Sequence, residues 1–231
     1  MIEVLRYSLN TGAIFVEEQT GHETFVEYVE DFGFGAPVGI ALPGEAAGSV
    51  ENLYTGREIN YATAAFGQGI SVTPLQLVSA VSTIANGGVR LHPYIVQEVR
   101  YPDGTIDVTE PVTVERVLTQ RTATRLSAMM TRVVDDGGAI RARIEGYSIA
   151  GKTGTAQIPR VGVAGYEEQH IHTFVGFFPA FDPRYVILVK IDRPQGVRYA
   201  ASTAAPLFRD IAEYLITYAA IPPDNPVHSS K

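Results

Sequence analysis

Helical periodicity and glycine alternate in the first part of the chain. Apolar residues recur at helical spacing over 13–19 and again over 23–32. Gly21 and Gly33 follow these two stretches, at the positions where helix ends favour glycine. We therefore predict two helices here, followed by turns and loops in the Gly/Pro-rich stretch 33–48.

Two stronger helical patterns come in the middle of the chain. The first begins after Thr73, a good N-cap residue, with Pro74 in its first turn, and it ends at Asn86-Gly87-Gly88. The second covers 121–135 and has an apolar face. The residues predicted to point inward from this second helix are Leu126, Met129, Met130, Val133 and Val134. Between the two helices, 93–118 is typical of short strands around a Pro-Asp-Gly turn.

The pattern changes to extended segments in the last third. Three such segments are predicted at 147–157, 172–179 and 185–192, separated by breaks that contain Gly or Pro. The third segment is β-branched and almost wholly apolar, which favours a central strand. An amphipathic helix follows at 203–221. Successive strands without an intervening helix predict an α+β fold: an antiparallel sheet flanked by helices.

The domain prediction is a single folded unit, residues 1–221, with a disordered tail at 222–231. The tail, PPDNPVHSSK, is polar and rich in proline, so it offers little apolar surface to bury.

Composition narrows the class of protein. The 231 residues are 45% hydrophobic and 19% charged, which suits a globular chain with a sizeable core, and the formal net charge is −7. An acidic balance argues against nucleic acid as a partner. Cysteine is absent, so there is no thiol nucleophile and no disulfide framework. We find no apolar run of about 18 residues and no signal-peptide pattern at the N-terminus, and hence predict no membrane anchor within these residues.

The stretch EGYSIAGKTGTAQIP at 145–159 allows two interpretations. Its residues 146–153 match the phosphate-loop pattern G-x-x-x-x-G-K-[ST], and the same letters contain Lys-Thr-Gly. A phosphate loop requires a strand before the motif and a helix beginning at Lys152. The residues after Lys152 include Gly154 and Pro159, which disfavour helix, and threonines, which favour strand. Nucleotide binding is therefore the weaker interpretation.

A strand gives Lys152 a different role. In an extended strand Lys152 and Gly154 point to one face, and Thr153 and Thr155 to the other. The lysine would supply positive charge, the threonine hydroxyls would bind a carboxylate, and the glycine would leave space for a ligand beside the backbone. The alternative is a lysine that only pairs with a surface acid, but Lys152 is one of only three lysines in the chain.

A metal site is a further possibility that the sequence supports poorly. His170 and His172 would share one face of a strand, but no third ligand is evident nearby, and catalytic zinc takes three protein ligands. We therefore predict no metal and no cofactor, and interpret the two histidines as polar residues at the entrance of a strand.

Six stretches, taken in order, resemble the C-terminal part of a class B penicillin-binding protein of the division-type transpeptidase group. They are SLNTGA at 8–13, FGFGAPVGIALPGEAAG at 32–48, ATAAFGQGISVTPLQLVSAVSTIANGG at 62–88, GYSIAGKTGTAQ at 146–157, HTFVGFFPAFDPRYVILVKID at 172–192 and AAPLFRDIAEYL at 204–215. Each is weak alone, but together they cover nearly the whole chain. One departure is Ala200-Ala201, where the family often has Gly-Gly.

The resemblance implies an acyl transfer in peptidoglycan cross-linking. In this family a serine of an S-x-x-K motif attacks the D-Ala-D-Ala end of a stem peptide, and β-lactams trap the same serine. Carried over by motif, Ser8 would shuttle protons with Lys152, and Asn10 would hydrogen-bond the substrate amide. Thr153 and Thr155 would bind the substrate carboxylate, and the backbone N–H of Thr155 would help to form the oxyanion hole. Gly154 completes the substrate-binding set.

The chain itself contains no S-x-x-K. The positions three residues before its lysines are Ile149, Ile187 and His228. Because acyl transfer requires an activated nucleophile, we expect these residues alone to be inactive. A second hypothesis is a non-catalytic or truncated member that only binds substrate or a partner. The reading frame just upstream of Met1 would distinguish the two hypotheses, since only a fragment of an enzyme would have an in-frame S-x-x-K there.

The resemblance also carries expectations about surroundings. The intact protein would lie at the extracytoplasmic face of a bacterial inner membrane and meet stem peptides, β-lactams and division or elongation proteins. Because helices of the remaining domain would cover part of this chain, we expect exposed apolar surface and poor solubility for the chain alone.

Overall fold

The architecture is that of helices around a small antiparallel sheet, seen in a computed structural model that describes residues 1–160, 162–163 and 165–225. The helices are α1 (Ile2–Arg6), α2 (Asn10–Thr20), α3 (His22–Asp31), α4 (Glu58–Ala64), α5 (Pro74–Ala85), α6 (Gln120–Asp135) and α7 (Ala204–Tyr218). The strands are β1 (Val89–Leu91), β2 (Glu98–Arg100), β3 (Ile106–Val108), β4 (Thr113–Arg116), β5 (Ala150–Pro159), β6 (Tyr166–Phe178) and β7 (Tyr185–Asp192). The predicted α+β class is confirmed.

Helix α5 shows most clearly why a stretch folds locally. The Thr73 side chain accepts a hydrogen bond from the backbone of Gln76, and the Gln76 side chain accepts one from Thr73, which satisfies two N–H groups of the first turn. The Gln76 amide also donates to the carbonyl groups of Gly33, Ala36 and Ala47. One buried side chain therefore starts the helix and fixes the predicted loop 33–48 against it.

The main sheet has the order β5-β6-β7, and both pairings are antiparallel. The prediction that 185–192 forms a central strand is wrong within the described residues, because β7 lies at one edge and β6 is central. Strand β7 is apolar on both faces since α5 packs on one side of it and α7 on the other. Strand β6 begins at Tyr166, six residues before the predicted start.

The core is divided between the two faces of this sheet. On one face the rings of Phe174, Phe178 and Phe208 are fully buried, with the Phe174 and Phe208 ring centroids 4.6 Å apart. On the other face Val175 and Phe177 pack with residues of α5 and α6. The sheet is thus held from both sides, which fixes the edge strand β5.

The four short strands form two separate pairs, and residues near the end of the described chain bond back to the fold. Strand β2 pairs with β3 around the predicted turn, and β1 pairs with β4. The predicted disordered tail starts at residue 222, yet Asp224 accepts a hydrogen bond from the Ser148 backbone and Asn225 donates one to Gly146. Residues 226–231 of that tail lie outside the described residues, so the domain boundary stays a prediction.

Two expectations from the sequence concern exposed apolar surface and membrane-spanning helices. Large apolar side chains are exposed at several places, among them Phe15, Phe181 and Tyr199, each more than half exposed. The exposed apolar surface expected for this chain is therefore present, while its poor solubility stays a prediction. Across the helices that the structure describes, none combines the length and the apolar character that crossing a membrane requires.

Candidate active site

Lys152 lies on the edge strand β5, as the strand interpretation predicted. It is paired with Val175 on β6, while the next residue, Thr153, is paired with Phe174. Because directly paired residues share a face, Lys152 points to the side of α5 and α6, and Thr153 to the side of α7. No helix begins at Lys152, so this segment lacks the geometry of a phosphate loop.

The ammonium group of Lys152 has a defined partner. Its Nζ donates to Ser8 Oγ at 2.9 Å and to the carbonyl oxygen of Thr153 at 3.1 Å. Burial lowers the pKa of Lys152 to about 8, because a desolvated ammonium is less stable than one in water. The structure thus brings together two of the predicted residues, which are 144 positions apart in sequence.

Ser8 is presented by the tight turn between α1 and α2. Its φ is 53°, in the left-handed region that few residues other than glycine adopt. Helix α1 is fastened to the end of α6, because the Arg6 side chain donates to Asp136 O and forms an ion pair with the Asp136 carboxylate. Gly138 N–H also donates to Arg6 O at 3.1 Å. These contacts hold the turn over β5, and so hold the Ser8 hydroxyl at Lys152.

Asn10 is the first residue of α2 and is exposed. It lies two residues beyond Ser8, on the same turn, and its side chain makes none of the hydrogen bonds found within the described residues. Its predicted hydrogen bond to a substrate amide stays a prediction.

The two threonines differ in their surroundings. Thr153 is half-buried, whereas Thr155 is more exposed, and its Oγ1 accepts a hydrogen bond from Ala200 N–H at 3.3 Å. In the part of the chain that the structure describes, β5 is an edge strand, so every second N–H along it lacks a neighbouring strand to bond. That leaves donors available at the strand edge. The carboxylate-binding and oxyanion roles of Thr155 stay predictions.

Two glycines of β5, Gly151 and Gly154, have a packing reason that the sequence alone did not show. A Cβ at Gly154 would collide with the Thr173 hydroxyl on β6, and a Cβ at Gly151 would collide with the Phe174 ring. Both glycines allow β6 side chains to lie close against β5. The space beside Gly154 is therefore filled by Thr173, and its part in substrate binding stays a prediction.

The histidine pair lies inside β6 and not at the entrance of a strand as expected. The ring centroids of His170 and His172 are 6.5 Å apart, and both ring nitrogens of the fully buried His172 have protein partners. Among the described residues, no group of three His, Cys, Asp or Glu side chains is arranged to hold a metal ion.

A polar cluster that sequence reasoning missed joins the N-terminal helices. His22 Nδ1 lies 2.6 Å from the Glu17 carboxylate and Nε2 lies 2.8 Å from the Glu58 carboxylate, while the ring stacks on Tyr61 at 4.1 Å. The Glu17 hydrogen bond is the main cause of a raised His22 pKa. Glu17 is a buried acid within a helix, but nothing in the sequence shows which residue pairs with it.

The fold and the Lys-Ser pair agree with the comparison to protein families. Residues 1–213 match the family model for the penicillin-binding protein transpeptidase domain. The chain therefore belongs to the penicillin-binding protein transpeptidase domain family, as the sequence resemblance predicted.

Curated relatives and solved structures give the same assignment. The chain is 39% identical over 213 residues to stage V sporulation protein D of Bacillus subtilis, covering 91% of this chain and 33% of the relative. It is 37% identical over 226 residues to penicillin-binding protein PbpB of Mycolicibacterium smegmatis, covering 93% of this chain and 35% of the relative. A crystal structure of penicillin-binding protein 3 from Mycobacterium tuberculosis with aztreonam superposes with a TM-score of 0.89 at 33% identity. That match covers 98% of this chain and 53% of the solved one. The chain thus spans about a third of the length of these curated relatives.

Proposed function

We propose that this chain supplies the lysine and carboxylate-binding half of the active site of a peptidoglycan D,D-transpeptidase. The observation that carries the proposal is the 2.9 Å hydrogen bond from the half-buried Lys152 ammonium to the Ser8 hydroxyl. Among the described residues no carboxylate forms an ion pair with Lys152, and a partly desolvated lysine beside a hydroxyl is suited to moving a proton.

Proton transfer is the proposed task of this pair. With the Lys152 pKa lowered to about 8, the amine exchanges protons at near-neutral pH far more readily than an ordinary lysine. Ser8 is exposed and accepts a hydrogen bond from Lys152, so its hydroxyl can relay the proton to and from the reacting groups. Positioned acid-base groups of this kind contribute about 10²–10⁴-fold to a rate.

Substrate binding falls to the adjacent side chains. We assign the Thr153 and Thr155 hydroxyls to the terminal carboxylate of the stem peptide and the Asn10 amide to its peptide group. The Thr155 N–H serves as one oxyanion donor. The exposed edge of β5 supports this, since an extended substrate can lie along unpaired backbone groups there.

The nucleophile comes from residues other than these 231. None of the three lysines has a serine three positions before it. We therefore propose that residues 1–231 alone form no acyl-enzyme, and that an S-x-x-K element packed against β5 and the Ser8 turn completes the site. The alternative function, a member that only binds substrate or a partner, requires that no such element exist.

The proposed substrate class is the D-Ala-D-Ala stem peptide, with β-lactams as inhibitors. Solved relatives from Mycobacterium tuberculosis were crystallised with aztreonam and with ampicillin, which supports the β-lactam assignment. We place the working protein at the extracytoplasmic face of the inner membrane, together with division or elongation proteins, where peptidoglycan is assembled.

Fluorescent penicillin labelling tests the proposal. The protein is prepared twice, as residues 1–231 and as the longest reading frame that contains them, and both are resolved on a denaturing gel. We expect covalent label on the longer protein only. Label on residues 1–231 alone would refute the proposed division of the site, and label on neither would favour the non-catalytic alternative.

A further inference from the structure

The segment 198–203 contacts β5 at Thr155, a residue of the candidate site. Within it, Ala200–Ser202 forms one short 3-10 turn that leads into α7, and Ala200 is buried. The Ala200 N–H donates to Thr155 Oγ1 at 3.3 Å. This chain has Ala200-Ala201 where the family often has Gly-Gly. The shape of the segment therefore has to come from the residues that this chain has.

One buried side chain holds this segment at both ends. His172 Nε2 lies 3.1 Å from the carbonyl oxygen of Arg198, and Nδ1 lies 2.9 Å from Thr203 Oγ1. A carbonyl oxygen can only accept, so Nε2 carries the hydrogen, and in the neutral ring Nδ1 accepts from the Thr203 hydroxyl. Burial lowers the pKa of His172, which agrees with a neutral ring.

The same histidine lies directly opposite the site. His172 on β6 is paired with Thr155 on β5, so the two side chains share a face of the sheet. The segment 198–203, which His172 holds, lies on this face of the sheet, and its Ala200 N–H donates to Thr155 Oγ1. Both nitrogens of the ring are occupied and its side chain is inaccessible to solvent, so it contacts neither substrate nor metal.

We propose that His172 is a positioning residue: through Arg198 and Thr203 it holds the segment 198–203, whose Ala200 N–H orients the Thr155 hydroxyl toward a substrate carboxylate. The carboxylate part of this inference rests on the proposed function. The mechanical part, that His172 orders the segment, stands on the hydrogen bonds alone.

Thr203 offers a mild way to break the contact. Its side chain makes no capping hydrogen bond to α7, so Thr203→Val leaves the helix start intact, but it removes both the 2.9 Å contact to His172 and a longer 3.5 Å contact to the Ala200 carbonyl oxygen. Thr203→Ser keeps the hydroxyl and is the matched control. His172→Phe removes both hydrogen bonds and is the stronger second variant.

Two measurements on the full reading frame test the two parts. Amide hydrogen exchange at Ala200 reports the ordering of the segment. Acylation rates with benzylpenicillin and with its methyl ester report the carboxylate contact, because the ester lacks the charge that a Thr155 hydroxyl would bind. We expect Thr203→Val to exchange faster at Ala200 and to lose about tenfold in the penicillin rate but less than twofold in the ester rate. Thr203→Ser should stay within twofold of the wild type in the exchange rate at Ala200, in the penicillin rate and in the ester rate.

Unchanged exchange at Ala200 in Thr203→Val and in His172→Phe overturns the proposal. Equal losses with penicillin and ester, or equal losses in the Val and Ser variants, overturn the carboxylate part, since a general loss of structure affects both ligands alike. A wild-type protein that does not react with penicillin refutes the proposed function. In that case the exchange at Ala200 still decides whether His172 orders the segment.

Discussion

The two faces of the sheet at β5 differ in what they carry: one is a buried aromatic core, and the other holds a lysine. On the α7 side, the rings of Phe174, Phe178 and Phe208 are fully buried and meet tilted or edge to face. On the α5 and α6 side, Val175 belongs to an apolar group with Phe177 and is paired with the charged Lys152. The first face orders the strand, while the second carries the half-buried ammonium of Lys152. That contrast explains why the Lys152 pKa is lowered, since the same packing that orders the strand removes solvent from its lysine.

Replacing the lysine should produce the largest effect. Lys152→Met in the full reading frame should lower the rate of penicillin acylation about 10²–10⁴-fold, because it removes the group that we propose transfers the proton. The rate is measured by stopped-flow or gel labelling under pseudo-first-order conditions.

Lys190→Met is the matched control for that variant. Lys190 is on β7, is partly exposed and lies 3.5 Å from the Asp192 carboxylate. We expect less than a twofold change in its acylation rate. Comparable losses in both lysine variants would show that charge in general, and not the position of Lys152, matters.

Truncating a side chain on the α7 side of the sheet should lower the free energy of unfolding more than it lowers the acylation rate. Phe208→Ala removes a fully buried ring from the α7 side and should lower the free energy of unfolding by about 3–5 kcal/mol. Tyr214→Ala, at an exposed position of the same helix, should change it by about 0.5 kcal/mol or less. Urea unfolding followed by circular dichroism measures both. Similar losses in the two variants would contradict the assignment of this face as the core.

The lowered Lys152 pKa also predicts how stability depends on pH. Between pH 8 and the ordinary lysine value of 10.5, the unfolded chain holds a proton on Lys152 that the folded chain has released. The free energy of unfolding should therefore rise with pH across this window, by up to about 3 kcal/mol. Unfolding at pH 7.5, 9 and 10.5 measures this contribution as the difference from Lys152→Met, which lacks the titrating group. Identical pH profiles for wild type and variant would contradict a desolvated lysine.

His22 should show the opposite sign and the smallest effect. Because the carboxylates of Glu17 and Glu58 raise its pKa, the folded state holds the imidazolium more tightly than the unfolded state does. The stabilisation is fully present below the ordinary histidine pKa and is lost as pH rises through the raised value. His22→Gln should abolish this decline in thermal unfolding measured from pH 5.5 to 8.5. A variant that keeps the same decline would place its cause elsewhere.

Local chemistry explains which parts of the fold were predictable. The start of α5 followed from Thr73 and Pro74, because capping depends on neighbouring residues. The place of β7 did not follow, since an apolar strand is equally compatible with a central position and with an edge covered by helices on both faces. Periodicity reports burial, and it does not report strand order.

The site divides in the same way. The family resemblance joined Ser8 to Lys152 across 144 positions, which no spacing rule would have done. The part played by His172 stayed hidden, because its partners at Arg198 and Thr203 come from a loop whose path depends on tertiary packing. A polar ring within the apolar run of β6 was the available signal, and it was interpreted as a strand entrance.

Peptide mapping of the penicillin adduct tests the central claim most directly. The full reading frame is treated with benzylpenicillin, digested, and analysed by mass spectrometry alongside its Lys152→Met variant. We predict an adduct on a serine three residues before a lysine, outside residues 1–231, that is strongly reduced in the variant. An adduct on Ser8 or on any other residue within 1–231, or one formed equally well without Lys152, would contradict the account.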